Sequence, residues 1–461
     1  MDEQLLQRLA QILGPDGLLV GECLAERSGG YWDPRPLSAA ALARPHTTAQ
    51  VAAVLAACSA HRQPVVVQGG LTGAVSGQRA RPGELVLSLE RMDAIVELDP
   101  VERVAVVEAG CTLGRLQRAA AGWDLEFPVD IGARDSCTLG GNIATNAGGM
   151  EVLRHGMMRR HVLGLEVVLA DGTVLDATSR LPKDNAGYDL KQLFIGSEGT
   201  LGVVTRAVLA LIPRARDRAT ALVGLAGLDA ALALLDRLER ALGPLLVRFE
   251  AMDGPYYRHQ TSRGHPAALP ATFPWYALVE TAGHDAERDR ERLLACLEEA
   301  LVEPGVGEIA VASNERERAA LWRLRESFDA TLVGAHCFLY DVSLPRRAIP
   351  SYVERLRAAV SGRWPQTVFF CLGHLADGNL HFFLAPQATG EVDALRAQAD
   401  RLVYGPLSEL GGSVSAEHGI GLDKKCWLAH SRKPAEIALM RLLKRTLDPA
   451  GILNPGRVLD A

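Results

Sequence analysis

The stretch Val65–Gly77, VVVQGGLTGAVSG, sets Gly69, Gly70, Gly73 and Gly77 directly behind a short run of β-formers. Glycine tolerates positive φ and has no side chain, so such a loop can turn several N–H groups toward one anion. The loop lacks G-K-[ST] and is not a Walker loop, nor does it read G-x-G-x-x-G. Glu90 stands about where a dinucleotide fold puts its ribose acid, but residues 71–83 offer no crossover helix. Alone, this loop is equally readable as flexible surface. Asp130–Gly149, DIGARDSCTLGGNIATNAGG, shifts the balance with further glycines beside Ser136, Thr138, Asn142, Thr145 and Asn146. Small residues admit a flat ligand to the backbone, and the hydroxyls and amides supply donors and acceptors. The alternative is a long irregular loop. Two such loops in one domain favour a large phosphate-bearing cofactor.

At 461 residues the chain exceeds one ordinary core, which predicts two or three domains. A net charge of -6 argues against nucleic-acid binding. Eight scattered cysteines without C-x-x-C argue against a zinc ribbon and fit a reducing cytoplasm. The opening MDEQLLQRLAQILG reads as an amphipathic helix rather than an export signal, and no apolar run reaches membrane-spanning length.

Up to Pro213 the pattern mixes helix and strand. Thr47 and Gln50 have capping-box spacing ahead of an apolar helix. Strands are expected at 64–68, 84–89, 103–110 and 199–213, with a hairpin over 163–177 turned at Asp171-Gly172. Beyond it, helices at 228–243, 286–301 and 315–332 alternate with strands at 274–283 and 336–345, and a last helix covers 435–448. This alternation predicts helices packed on a mainly antiparallel sheet. The boundaries fall near 213 and 430.

Within GHLADGNLHFF, Gly373–Phe383, two histidines flank Asp377-Gly378, a two-residue hairpin signal. That tip pairs Ala376 with Asn379, Leu375 with Leu380 and His374 with His381, giving Cβ atoms roughly 4.5–5.5 Å apart. Two imidazoles so placed can share a divalent metal, or can simply hydrogen-bond in a half-buried sheet. Glu417 and His418, in SAEHGIG (415–421), are a candidate third ligand and neighbour, or an ordinary solvated loop.

These segments carry a resemblance. GGLTG (69–73) looks like the pyrophosphate loop of the vanillyl-alcohol oxidase / p-cresol methylhydroxylase flavoproteins. GGNIATNAGG (140–149) and IGSEGTLGVVT (195–205) resemble their other flavin-contacting stretches, and DPAGILNPGRV (448–458) their C-terminal return to the flavin. GHLADGNLH with AEHG is similar to the D-2-hydroxyglutarate / D-lactate dehydrogenase branch, the FAD-linked D-2-hydroxyacid dehydrogenases. The resemblance implies an α+β chain with a two-subdomain FAD-binding domain (1–213), a cap domain with the metal site (214–430) and a returning segment (431–461). It implies FAD contacts from Gly69, Gly70, Leu71, Thr72, Gly73, Ser136, Cys137, Gly140, Gly141, Asn142, Thr145, Asn146, Gly148, Gly202, Val203 and Asn454. It implies zinc or another divalent metal on His374, His381 and Glu417, His418 as catalytic base and substrate contact, and substrate contacts from Asn379 and, in LWRLRES, Arg325. No histidine stands in QGGLTGAVSG, and Cys137 reads as an unmodified core residue, so FAD is expected without a covalent bond.

Relatives acting on 2-hydroxyglutarate hold the distal carboxylate with a threonine one turn past that arginine and a lysine before YDxSLP. Here Asp329 and Leu339 stand near those positions. The sequence therefore leans toward oxidation of D-lactate or another D-monocarboxylate, with D-2-hydroxyglutarate as the alternative. Electrons are expected to leave to an electron-transfer flavoprotein or a quinone. An oxidase, an alkyl-glycerone-phosphate-type enzyme and an FAD-binding subunit of a glycolate oxidase-like complex are rival readings.

Overall fold

The computed structural model describes residues 1–327, 333–334, 336–388 and 390–460. It divides into two compact units. The first comprises Met1–Gly149, Met157–Arg214 and Glu417–Ala461, and the second Met150–Gly156 and Ala215–Ala416. The final return thus begins at Glu417, ahead of the expected 431. The excursion 150–156 joins the second unit because Glu151, buried, is held there by Arg218 and Arg248 at 2.8 and 2.6 Å.

In the first unit, helix α1 (Thr48–Ala60) starts at Thr47, whose Oγ1 accepts from Gln50 N–H at 3.2 Å. The Gln50 side chain reaches back to His46 N–H at 2.7 Å, one residue beyond the usual capping-box partner. Strands β1 (Val65–Gln68) and β2 (Leu85–Ser88) run parallel in a four-stranded sheet. A five-stranded antiparallel sheet holds β3 (Val104–Glu108) next to β5 (Val203–Ala210), with β4 (Val162–Val168) beyond. The turn expected at Asp171-Gly172 joins β4 to Val174–Ala177, with Gly172 at φ +89°. Between the sheets' residues runs the short helix α2 (Leu139–Thr145). Its N-cap Thr138 and the 136–138 segment crowd the glycine loop after β1: a Cβ on Gly70 would lie 2.0 Å from Ser136 O.

The second unit is built on seven strands, all paired antiparallel: β6 (Asp217–Leu225), β7 (Leu246–Asp253), β8 (Trp275–Gly283), β9 (Val306–Val311), β10 (Phe338–Ser343), β11 (Val368–His374) and β12 (Asn379–Ala385). Their order is β9-β6-β8-β7-β11-β12-β10. Helices α3 (Leu228–Leu242) and α4 (Ala286–Ala300) pack against the β6–β8 part of the sheet. Helix α5 (Glu315–Glu326) covers a face formed by Leu222, Met252, Leu278, Phe370, Leu372 and Phe383. It stops at Glu326, short of the expected 332, and residues 328–332 lie outside the described residues.

That α5-facing side also carries charge. Every residue of β7 is buried, yet Arg248 and Glu250, two apart and so on one face, are ionic. Helix α5 meets them with Arg318, Trp322 and Arg325, spaced to share one side of a helix. Arg318 and Trp322 Nε1 bond Glu280 at 3.0 and 2.6 Å, and Arg325 Nε bonds Glu250 at 2.8 Å. Buried carboxylates need such partners, because desolvation otherwise makes their charge untenable.

Candidate active site

The glycine loop after β1 fits an anion. Gly70, Leu71, Thr72 and Gly73 donate their N–H groups to nothing among the described residues. Leu71 sits at φ +57°, and alternation of backbone hand is what turns successive N–H groups inward. Ser136 is exposed, and Cys137, Gly140, Asn142 and Gly148 are buried around α2. Thr138 Oγ1 accepts from Gly141 N–H at 3.4 Å, while Thr145 Oγ1 turns back to Gly141 O at 3.1 Å. Asn146 closes α2 in the left-handed conformation and accepts from Arg159 N–H at 2.9 Å. Cys137 Sγ accepts from Asn142 Nδ2 at 3.4 Å, and burial pushes its thiol up, away from the reactive thiolate. Gly202 packs on Val167 and Phe194, and Val203 is buried in β5. Asn454 ties three segments together: its Oδ1 accepts from Val67 N–H at 2.8 Å and its Nδ2 donates to Glu198 O at 2.7 Å. An open cradle of N–H groups beside a second small-residue loop suits the diphosphate of FAD and a flat ring system.

The histidine hairpin forms, in a different register from the one expected. Leu372, not His374, stands opposite His381. The connection is four residues, Leu375–Gly378, with a 3-10 turn over Leu375–Asp377 and only Gly378 left-handed, at φ +82°. A two-residue type I′ tip would need positive φ at Asp377 as well. Asp377 instead caps Asn379 N–H at 3.1 Å, and Arg346 and Leu344 hold the turn through Ala376 O and Gly378 O. The slip is two residues, an even number, so both histidines stay on one face. Their rings lie 5.4 Å apart, nearly perpendicular, as diagonal neighbours.

Each ring has a buried acid behind it. His374 pairs in register with Glu250, whose Oε1 takes its Nδ1. Burial pushes the Glu250 carboxyl up, but His374 and Arg325 outweigh it and hold it at about 2. His381 pairs in register with Asp341, with Nδ1 3.8 Å from Oδ1. Asp341 also accepts from Asn379 Nδ2 at 2.7 Å and from Ser415 Oγ and Ala416 N–H at 3.2 and 3.1 Å. A carboxylate hydrogen-bonded to Nδ1, as Glu250 is to His374, fixes the ring's orientation and tautomer, the usual arrangement behind a metal-binding histidine. Asn379 is 3 % exposed and its Oδ1 is without a partner among the described residues. The sequence reading missed Glu250 and Asp341. A charged residue inside a run of β-formers, as in RFEAM and FLYDV, was the available signal.

In the first unit, Glu417 and His418 open a tight turn. Glu417 Oε1 accepts from Gly149 N–H at 2.9 Å, and both residues are half-buried. One Glu417 oxygen is thereby oriented by the backbone beside it. Imidazole nitrogen and carboxylate oxygen are ligand types that zinc accepts.

Residues 214–458 match the family described as FAD linked oxidases, C-terminal domain, and residues 39–178 match FAD binding domain. The chain is 40% identical over 421 residues to D-2-hydroxyglutarate dehydrogenase, mitochondrial, of Rattus norvegicus, covering 91% of this chain and 78% of the relative. It is 38% identical over 435 residues to D-2-hydroxyglutarate dehydrogenase of Xanthomonas citri pv. viticola, covering 93% and 90%. A solved structure of p-cresol methylhydroxylase superposes at TM-score 0.78 and 17% identity over 99% of this chain and 96% of that one, which shows the fold. Likeness of this extent, on a chain whose glycine loops suit FAD, makes it an FAD-dependent oxidoreductase. The chain belongs to the FAD-linked oxidase family together with these D-2-hydroxyglutarate dehydrogenases, and it shares the fold of p-cresol methylhydroxylase.

Proposed function

We propose that the chain oxidises D-2-hydroxyglutarate to the 2-oxo acid, with non-covalent FAD as electron sink and a divalent metal, zinc by its donor set, on His374, His381 and Glu417. The observation that carries the chemistry is the histidine pair with a buried carboxylate behind each ring. The substrate follows from relatives of 40% and 38% identity that bear this name.

Arg325, fixed through its Nε by Glu250, presents a guanidinium to the substrate carboxylate. Asn379 hydrogen-bonds the substrate, and His418 takes the hydroxyl proton as the C2 hydrogen departs. When bound, the metal polarises the hydroxyl oxygen as a Lewis acid. Bound FAD would supply the electron sink for the C2 hydrogen, and an electron-transfer flavoprotein or a quinone would be its acceptor. The eight cysteines are free thiols, in keeping with a reducing compartment such as the cytoplasm.

A second reading, a D-monocarboxylate such as D-lactate, is favoured by Leu339. It lies two residues from Asp341 on the same face of β10 and packs among apolar side chains rather than offering a cation. Asp329, the other departure, lies outside the described residues.

Anaerobic bleaching of the flavin by a panel of D- and L-2-hydroxy acids, before and after chelation, tests both readings. Expected is rapid bleaching by D-2-hydroxyglutarate, lost with chelator and restored by zinc. Bleaching that ignores the chelator removes the metal, and preference for D-lactate moves the assignment to the second reading.

A further inference from the structure

Gly196, Glu198 and Gly199 all have left-handed backbone, at φ +81°, +52° and +67°. Glycine is at home there, and an L side chain is not. Glu198 is therefore a side chain kept where the backbone would be easier without one, a pattern that points to function. Its carboxylate is directed to a single loop. Oε1 accepts from Ile420 N–H at 2.7 Å and Oε2 from Gly421 N–H at 2.8 Å. Gly419 lies so close that a Cβ there would be 2.8 Å from Oε1. The Glu198 backbone is engaged too: its N–H donates to Ala144 O at 2.8 Å and its carbonyl accepts from Asn454 Nδ2 at 2.7 Å. From the far side, Val75 O, at the end of the glycine loop, accepts from Leu422 N–H at 3.0 Å.

We propose that Glu198 is the positioning residue of the Glu417–His418 turn, clamping it by two adjacent N–H groups to the framework that carries α2 and Asn454. The inference rests on the roles given above to Glu417 and His418. Proton removal and hydride loss occur at bonded atoms, so the base and the flavin need one fixed separation. A misplacement of about 1 Å can cost on the order of 10²-fold in rate.

The test uses FAD-loaded Glu198→Gly, Glu198→Gln and Glu198→Asp. Glycine suits the backbone at this position and removes the clamp. Glutamine keeps the shape but can accept only one of the two bonds. In Glu198→Gly and Glu198→Gln, amide exchange over 418–422 is expected to rise at least about tenfold while β5 stays protected. Flavin content is expected to hold, and flavin reduction at saturating substrate to fall about 10–100-fold with little change in KM. Asp is expected to recover part of the rate. Unchanged exchange over 418–422 overturns the proposal, as does raised exchange with an unaltered rate. Loss of flavin from both Gly and Gln variants also overturns it, since the acid would then be holding the flavin fold itself. Failure of the wild type to oxidise any D-2-hydroxy acid overturns the functional reading instead, and leaves exchange to decide the clamp.

Discussion

Glu250 stands directly across the β7–β11 pair from His374, and its Oε1 is bonded to the ring Nδ1. Its other oxygen holds Arg325 Nε at 2.8 Å. One buried acid thus aims both the histidine proposed as a metal ligand and the guanidinium proposed for the substrate carboxylate. In Glu250→Gln the amide can serve one of these partners and must present N–H groups to the other. Metal affinity is expected to fall about 10–100-fold, the usual effect of losing such a partner, with KM raised and flavin retained. Competition with a chromophoric chelator measures the first, and a variant with wild-type affinity and KM excludes this role.

His374→Ala and Glu417→Ala separate metal from flavin. The glycine loop and α2 contain neither residue, so both variants should remain yellow. A Lewis acid worth several kcal/mol corresponds to roughly a thousand-fold in turnover. Dye-linked turnover near the wild-type rate in either variant would remove the metal from the mechanism.

Glu280 supplies a pH signature. Burial pushes its carboxyl up, but Arg248, Arg218 and Arg318, with Thr220, outweigh it and hold it below the ordinary 4.5. With the folded value below the unfolded one, the stabilisation is present above the unfolded value and is lost as pH falls through the folded one. The Tm of the wild type should therefore drop steeply below about pH 4.5. Glu280→Gln should be less stable near neutrality, because Arg218 and Arg318 each lose one of two carboxylate partners, and should show a flatter acid limb. Parallel Tm curves for the two proteins would assign the acid transition to other groups.

Much of this was legible from sequence, and the misses have physical causes. Runs such as PVVVQ and RVAVVEAG became β1 and β3 because buried strands are read from β-formers without needing alternation. The hairpin's existence followed from its composition, but its register did not. Register is set by turn geometry, and Asp377 preferred to cap Asn379 N–H over adopting positive φ. Glu250, Asp341 and Glu198 went unnoticed because their partners, His374, Asn379 and Ile420, are remote in sequence. Helix α5 ends at Glu326 with Ser327 as its cap, a stop that the persisting sequence periodicity does not announce, and the remainder of the expected span lies outside the described residues.

Lys444 predicts a flavin phenotype without a flavin contact. Its buried Nζ donates to Thr200 O at 2.9 Å, Asp448 Oδ2 at 2.5 Å and Leu453 O at 2.8 Å. Asp448 in turn accepts from Ile452 and Leu453 N–H at 3.0 and 2.8 Å, which sets the path into Asn454. Lys444→Met leaves Asp448 buried and unpaired, a defect costing about 3–5 kcal/mol. Loosened flavin on gel filtration and a lowered Tm are expected. Undiminished flavin would show that Asn454 holds its place without this support.

Leu339 decides between the two substrate readings. It is half-buried opposite Phe383, packs against the apolar cluster under α5, and shares a face with Asp341 and hence with His381. An apolar side chain there gives a distal carboxylate nothing, whereas an ammonium would add a charge-assisted bond worth about 1.5–3 kcal/mol. In Leu339→Lys, kcat/KM for D-2-hydroxyglutarate should rise roughly 10–100-fold relative to D-lactate, if the new stem can lie along the apolar cluster with its head in the site. Most of that change belongs in KM, because the distal group binds equally in ground and transition states. An unchanged ratio between the two substrates would mean that the distal carboxylate is held elsewhere, and that Leu339 packs the α5 face without selecting the substrate.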